Sequence, residues 1–489
     1  MNLAALLLAA APERPDAPAL RFDDVTVSHG DLRAESGRLA AGLVGAGVRP
    51  GDRVVLAYPN SVDFVTAYIG VLTCGAVAVP LNPTSPAPEV NAQLDEVDPR
   101  FRLGVLAGGV TVAETAAAEP MEPVERGDDD LAALLFTAGT AGAPKAAMLT
   151  HGNLAANVEQ VQRHPGMRIH ADDVALVVLP FFHIFGLNVV LGTALAAGAC
   201  VMVAAEFHAE ATAALIASER ITVVAGVPSM FAAWVGLPPG RDSDFSGVRL
   251  AVSGAAHLPI AVAGSFRERY GVAVREGYGL TEASPIVTTT AVDATLRPGS
   301  IGPPLPGVEV RIVDEDGGDV FAGDPGEIWV RGPSVFPGYW GNAEATARVL
   351  TPDGWLRTGD IAVADDDGYL SLVDRAKDLV IVSGFNVYPA EVEAVLRAHP
   401  DVADVAVAGV ADPRSGEALA AYIVAAGSRS GPSDATLRAF VGERLARYKV
   451  PTTFELVDEL PRNRLGKLLR RELGARSDPS VPPPSGSSG

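Results

Sequence analysis

Apolar residues fall along this chain in short runs separated by polar, glycine-rich turns, and the spacing of the runs changes twice. Over residues 1 to 130 helical and strand patterns alternate. Apolar spacing predicts helices over Leu32 to Val48 and Ser61 to Leu72, with strands at Arg53 to Tyr58 and Ala76 to Leu81. The alternation resumes after residue 150. Helices are predicted over Asn153 to Gln162, Leu187 to Ala197 and Ala209 to Glu219, and strands at Asp173 to Leu179, Ala199 to Ala204, Thr222 to Ala225, Arg249 to Ser253 and Val272 to Glu276. This is the pattern of an α/β fold, a parallel sheet with helices on both faces that binds ligands at the carboxyl ends of its strands. From about Pro298 the pattern shortens to Val308 to Val313, Gly326 to Arg331 and Leu370 to Val373, which predicts a small β-barrel-like subdomain. A final α+β region carries predicted helices at Pro389 to Ala398 and Ser433 to Leu445 and strands at Val402 to Gly409 and Ala418 to Ala425. The expected domains are 1–376 and 377–475, followed by a Ser/Pro/Gly-rich tail, 476–489, that cannot bury a core.

Charge narrows the function classes. With 38 Lys and Arg against 59 Asp and Glu among 489 residues, the formal charge is −21, and a nucleic-acid partner would be repelled. The balance is uneven: Arg429 to Arg476 holds eleven basic residues against six acidic ones, a solvated face or a landing site for an anion. Cys74 and Cys200 are the only thiols, so a disulfide framework is not expected and a reducing compartment is. The apolar opening, Asn2 to Ala11, lacks a basic leader, and no apolar stretch reaches the ~18 residues of a membrane span. A cytoplasmic location is expected.

The strongest chemical signal follows the strand-like run Leu131 to Phe136. There Thr137-Ala138-Gly139-Thr140-Ala141-Gly142-Ala143-Pro144-Lys145 combines turn-forming glycines, two threonine hydroxyls and an ammonium. Glycines let successive N–H groups converge on an anion, and this composition suits a polyphosphate although it is not a Walker A loop. Read alone, it is equally an ordinary Gly/Thr/Pro turn. Four further motifs follow in order: Gly277-Tyr278-Gly279-Leu280-Thr281-Glu282, Thr358-Gly359-Asp360, Asp374-Arg375-Ala376-Lys377-Asp378, and Pro461-Arg462-Asn463-Arg464-Leu465-Gly466-Lys467.

With these five motifs in this order, the chain resembles the adenylate-forming superfamily of acyl-CoA and aryl-CoA synthetases, luciferases and peptide-synthetase adenylation domains, over roughly residues 15 to 473. The resemblance implies a large N-terminal domain and a mobile C-terminal one. It also implies ATP-dependent activation of a carboxylic acid to an acyl-adenylate, then transfer to CoA. Thr137, Ala138, Gly139, Thr140, Gly142 and Lys145 would meet the β and γ phosphates. Ala138 and Ala141 stand where the family has hydroxyl residues. Glu282 would bind Mg2+, Thr281 the α-phosphate, Tyr278 the adenine face, and Gly254, Ala255, Ala256, Gly277 and Gly279 the adenine edge. Asp360 and Arg375 would take the ribose hydroxyls. His183 would lie near the carboxylate, Lys377 at the hinge, and Lys467 would bridge carboxylate and α-phosphate. Ser383, Gly384 and Phe385 would face the adenylate during thiol attack.

Each assignment has a plainer competitor. Glu282 could cap a helix, Asp360 could sit in a surface turn, His183 could be a core histidine, and Lys467 could belong to a basic tail. At the level of function, an acyl-AMP ligase serving a separate carrier protein shares the first half-reaction. A non-catalytic nucleotide-binding regulator would explain the two loop alanines. The expected acid pocket, lined by Phe182 to Asn188, Gly226 to Phe231, Gly254 to Ala256 and Leu280 to Pro285, is largely apolar, which favours an aliphatic or aromatic acid.

Overall fold

The computed structural model describes residues 1–137, 145–238, 244–292, 297, 299–314, 316–375, 380–426, 431–461 and 473, without the side chains of 373–375, 386 and 390. The chain divides into two compact units. The first comprises Met1–Pro83, Leu94–Thr137 and Lys145–Ala376; the second comprises Thr84–Gln93, Ala138–Pro144 and Lys377–Gly489.

Two sheets dominate the first unit. One runs in the order Ile286–Thr289, Val274–Gly279, Leu250–Ser253, Val223–Gly226, Val174–Val177, Cys200–Val203, Pro18–Phe22 and Val25–Ser28, parallel except at its two edges. The other runs Phe101–Gly104, Arg53–Ala57, Val77–Pro80, Leu131–Thr137 and Lys145–Thr150, with only its last pair antiparallel. The central strands are buried throughout, so they read as unbroken apolar runs, as a sheet covered on both faces requires. Ser61 caps the helix Val62–Thr73 by accepting from the Phe64 N–H, and Thr150 and Asn153 form a reciprocal capping box on His151–Arg163. A separate aromatic cluster (Phe231, Trp234, Phe245 and Phe266) packs edge to face under the larger sheet.

Three elements depart from their sequence pattern. The strand expected to end at Glu276 runs on as far as Gly279, because Gly277 and Tyr278 pair with Thr289 and Thr288. The helix expected over Leu187 to Ala197 is a π-helix, Phe185–Gly192, followed by one α-turn, Thr193–Ala196. Buried Asn188 sits in that wide turn and donates to Leu154 O (3.2 Å) and Ser284 O (2.8 Å), a local demand that apolar spacing does not record. The short strands after Pro298 form a four-stranded antiparallel meander, Glu309–Val313, Pro325–Arg331, Leu356–Ala364 and Leu370–Arg375.

In the second unit the long antiparallel pair Val402–Asp412 and Gly416–Ala425 is flanked by Val380–Val382, Phe385–Val387 and Thr453–Leu456. Helices Pro389–Arg397 and Asp434–Gly442 cover it through Val392, Leu396, Leu437 and Val441.

Candidate functional site

In the first unit the described motif residues gather around two tyrosines. Tyr278, buried in the strand next to the sheet's edge, donates its hydroxyl to Asp360 Oδ2 at 2.7 Å across 82 residues of sequence. Asp360 lies in the strand Leu356–Ala364. Gly359 beside it has φ 74°, and its N–H donates to Glu327 Oε1 at 2.8 Å. The Asp360 N–H is taken by Thr358 Oγ1 at 3.1 Å. Arg375 is the register partner of Asp360 on the adjacent strand, so the backbone sets both residues at one level of the sheet.

The second tyrosine is Tyr339. Its hydroxyl donates to Glu282 Oε1 at 2.6 Å, and the Lys145 ammonium lies 5.0 Å from the centre of its ring. Backbone pairing explains the placement. Met148 and Trp340 N–H groups bond Gly338 O and Ala146 O, so residues 338–340 run along the strand that Lys145 opens. The Glu282 carbonyl accepts from the Phe336 N–H at 2.9 Å. Tyr339 and Glu327 escaped sequence reasoning. The glycines on either side of Tyr339-Trp340 are a turn signal, but nothing local ties them to Glu282, 57 residues earlier.

Glycine is required where the strands meet their turns. A side chain at Gly279 would lie 2.1 Å from Pro285 O, and one at Gly254 would press on the Phe185 ring at 3.0 Å. Ala255 holds φ 67°, and Ala256 follows it in the small-residue turn after Leu250–Ser253. His183 accepts from the Phe185 N–H through Nδ1 at 3.3 Å, and burial pushes its pKa down to about 4, so the imidazole is neutral near pH 7. A neutral ring can position a substrate but brings no positive charge. Glu276, just before Gly277, is pushed up to about 7 by burial, opposed by the Leu258 N–H it accepts. Thr281 opens the short turn Thr281–Ala283 that presents Glu282.

In the second unit Ser383 and Gly384 adopt φ 51° and 87° between two short strands. Phe385 stacks on Tyr448 with centroids 4.3 Å apart. Ala138, Gly139, Thr140, Gly142, Lys377 and Lys467 lie outside the described residues, as does the Arg375 side chain. Among the described residues no cluster of three or more His, Cys, Asp or Glu forms a metal cage, and no helix is long and apolar enough to cross a membrane.

The sequence matches the family model of AMP-binding enzymes over residues 7–340 and that of the AMP-binding enzyme C-terminal domain over residues 391–467. It is 38% identical to a feruloyl-CoA synthase of Amycolatopsis sp, covering 94% of this chain and 96% of that one. It is 33% identical to a long-chain-fatty-acid–CoA ligase of Bacillus subtilis (strain 168), with 96% and 94% covered. Among solved structures, an amide bond synthetase from Marinactinospora thermotolerans superposes with a TM-score of 0.89 at 30% identity, covering 98% of this chain and all of that one.

Proposed function

The chain belongs to the AMP-binding enzyme family and is an AMP-forming acid–thiol ligase, and we propose that its substrate is a carboxylic acid with an apolar aliphatic or aromatic tail. The observation that carries the assignment of the site is the Tyr278–Asp360 hydrogen bond, which joins two motifs at one point. A carboxylate acceptor beside an aromatic ring suits the vicinal diol and base of a nucleoside. Asp360, with Arg375, would take the ribose, and Tyr278 the adenine.

The acid's carboxylate oxygen would attack the α-phosphorus of ATP, and the bond to pyrophosphate would break. Lys145 and Lys467 would balance the charge that accumulates there. The Glu282 carboxylate, a hard oxygen donor aimed by a neutral hydroxyl, suits Mg2+, with the remaining ligands coming from phosphate and water. That ion would supply charge neutralisation along the triphosphate. In the second step the CoA sulfur would bond to the acyl carbon as the carbon–oxygen bond to AMP breaks, the thiol proton passing to water. The loop Ser383–Phe385 would line the thiol's approach. Buried Phe185, Val227 and Phe231 support an apolar acid, since none could pair a second carboxylate.

Pyrophosphate release measured over a panel of acids, with and without CoA, tests this reading. Release with apolar acids and thioester only when CoA is present is the expected result. Release without thioester would move the acceptor to a carrier protein or an amine. No release with any acid would overturn the assignment.

A further inference from the structure

Three charged side chains with no part in the chemistry assigned so far meet inside the second unit. Lys449 Nζ lies 2.6 Å from Glu89 Oε1 and 2.9 Å from Glu391 Oε1, and all three side chains are buried. Glu89 also accepts the Ala446 N–H through Oε2 at 2.9 Å. Burial alone would lower the Lys449 pKa, but Tyr448 and the two carboxylates outweigh it and hold the ammonium above its ordinary range. Glu391, whose Oε2 has no hydrogen-bond partner among the described residues, is pushed up by burial against the pull of Lys449. Two acids on one ammonium exceed what a cross-link needs, and a buried charge cluster is seldom the most stable way to fill a core.

Glu89 comes from the wrong end of the chain. Thr84–Gln93 is part of the second unit, yet its chain neighbours Pro83 and Leu94 belong to the first. Its helix, Ala87–Val97, continues to Glu96, which accepts the Ala146 N–H (3.3 Å) beside Lys145. On the other side of Lys449, Tyr448 stacks on Phe385, the residue that ends the left-handed Ser383-Gly384 loop. One short turn, Arg447–Lys449, thus grips both the Thr84–Gln93 segment and the loop assigned to thiol attack.

We infer that Glu89, Lys449 and Glu391 form a latch that holds the Ser383–Phe385 loop in place for thioester formation, and that Glu89 is a positioning residue for that half-reaction alone. The inference rests on the ligase reading for its second step. Its test separates the steps: ATP–pyrophosphate exchange without CoA reports adenylation, and thioester formation from preformed adenylate plus CoA reports the transfer. Glu89→Ala should slow transfer about tenfold while exchange stays within twofold of wild type, and the melting temperature should fall because the buried Ala446 N–H loses its acceptor. Glu89→Gln, which keeps an acceptor for the Ala446 N–H but loses the charge, should lie between the two. A loss shared equally by both steps, or no loss in either, would overturn the latch. Wild-type enzyme that exchanges with no acid would overturn the ligase reading and the latch with it, whereas exchange without the split overturns the latch only.

Discussion

Two sets of carboxylates, one in each unit, are held in opposite ways. In the first, Asp360 and Glu282 each accept from a tyrosine hydroxyl, at 2.7 and 2.6 Å. In the second, Glu89 and Glu391 converge on an ammonium. A neutral hydroxyl fixes the direction of a carboxylate without cancelling its charge, which leaves it able to meet a diol or a cation. An ammonium consumes that charge, so the tripod is suited to holding and not to binding. On the proposed reading, the difference separates groups kept for a ligand from groups spent on each other.

Removing the ammonium should break the contrast most strongly. Lys449→Met leaves two buried carboxylates without their shared cation, and a loss of about 3 to 5 kcal/mol is expected in urea unfolding of the full chain. Replacing either site tyrosine should cost far less stability.

pH should separate the units next. His151, buried at a helix start and accepting the Leu3 N–H at 3.0 Å, is pushed down to about 4 by burial. Its contribution is fully present above the unfolded value near 6.5 and is lost as pH falls through 4, about 3 kcal/mol in all. Lys449 has the opposite sign, since its raised pKa gives stability that is lost only in strong alkali. Denaturation profiles of wild type and His151→Asn should differ in their acid limb alone.

Smaller effects test the tyrosines. Tyr339→Phe keeps the ring under Lys145 but removes the bond to Glu282, and an approximately tenfold fall in exchange kcat/KM for ATP is expected, with a higher Mg2+ requirement. Tyr278→Phe should raise the KM for ATP about fivefold and leave the acid's KM unchanged. Equal effects on acid and ATP would mean that Tyr278 supports the fold and not the nucleotide.

Most of the fold was legible because a buried sheet writes itself as apolar runs with glycine at the strand ends; Val223–Gly226 and Leu250–Ser253 lie within a residue of their pattern. The Tyr-Gly-Leu-Thr-Glu and Thr-Gly-Asp motifs were legible as sequence, but the hydrogen bond that joins them was not. Tyr339 depends on which strand its backbone runs beside, and the π-helix on a buried asparagine, neither of which has a local signature. Glu89 and Lys449 are 360 residues apart, and either one alone reads as an ordinary surface charge.

The discontinuous makeup of the second unit bears on how such enzymes can be recombined. A crossover at Ala376 and Lys377 would transplant Lys449 and Glu391 into a new host while leaving Glu89 behind in the donor. Spacing matters as well, because Glu89 and Glu96 lie seven residues apart, about two turns of one helix. One inserted residue would turn them about 100° out of phase. A chimera built as if this were a C-terminal module would inherit a mismatched graft, and carrying Thr84–Gln93 along with it is the remedy the fold prescribes.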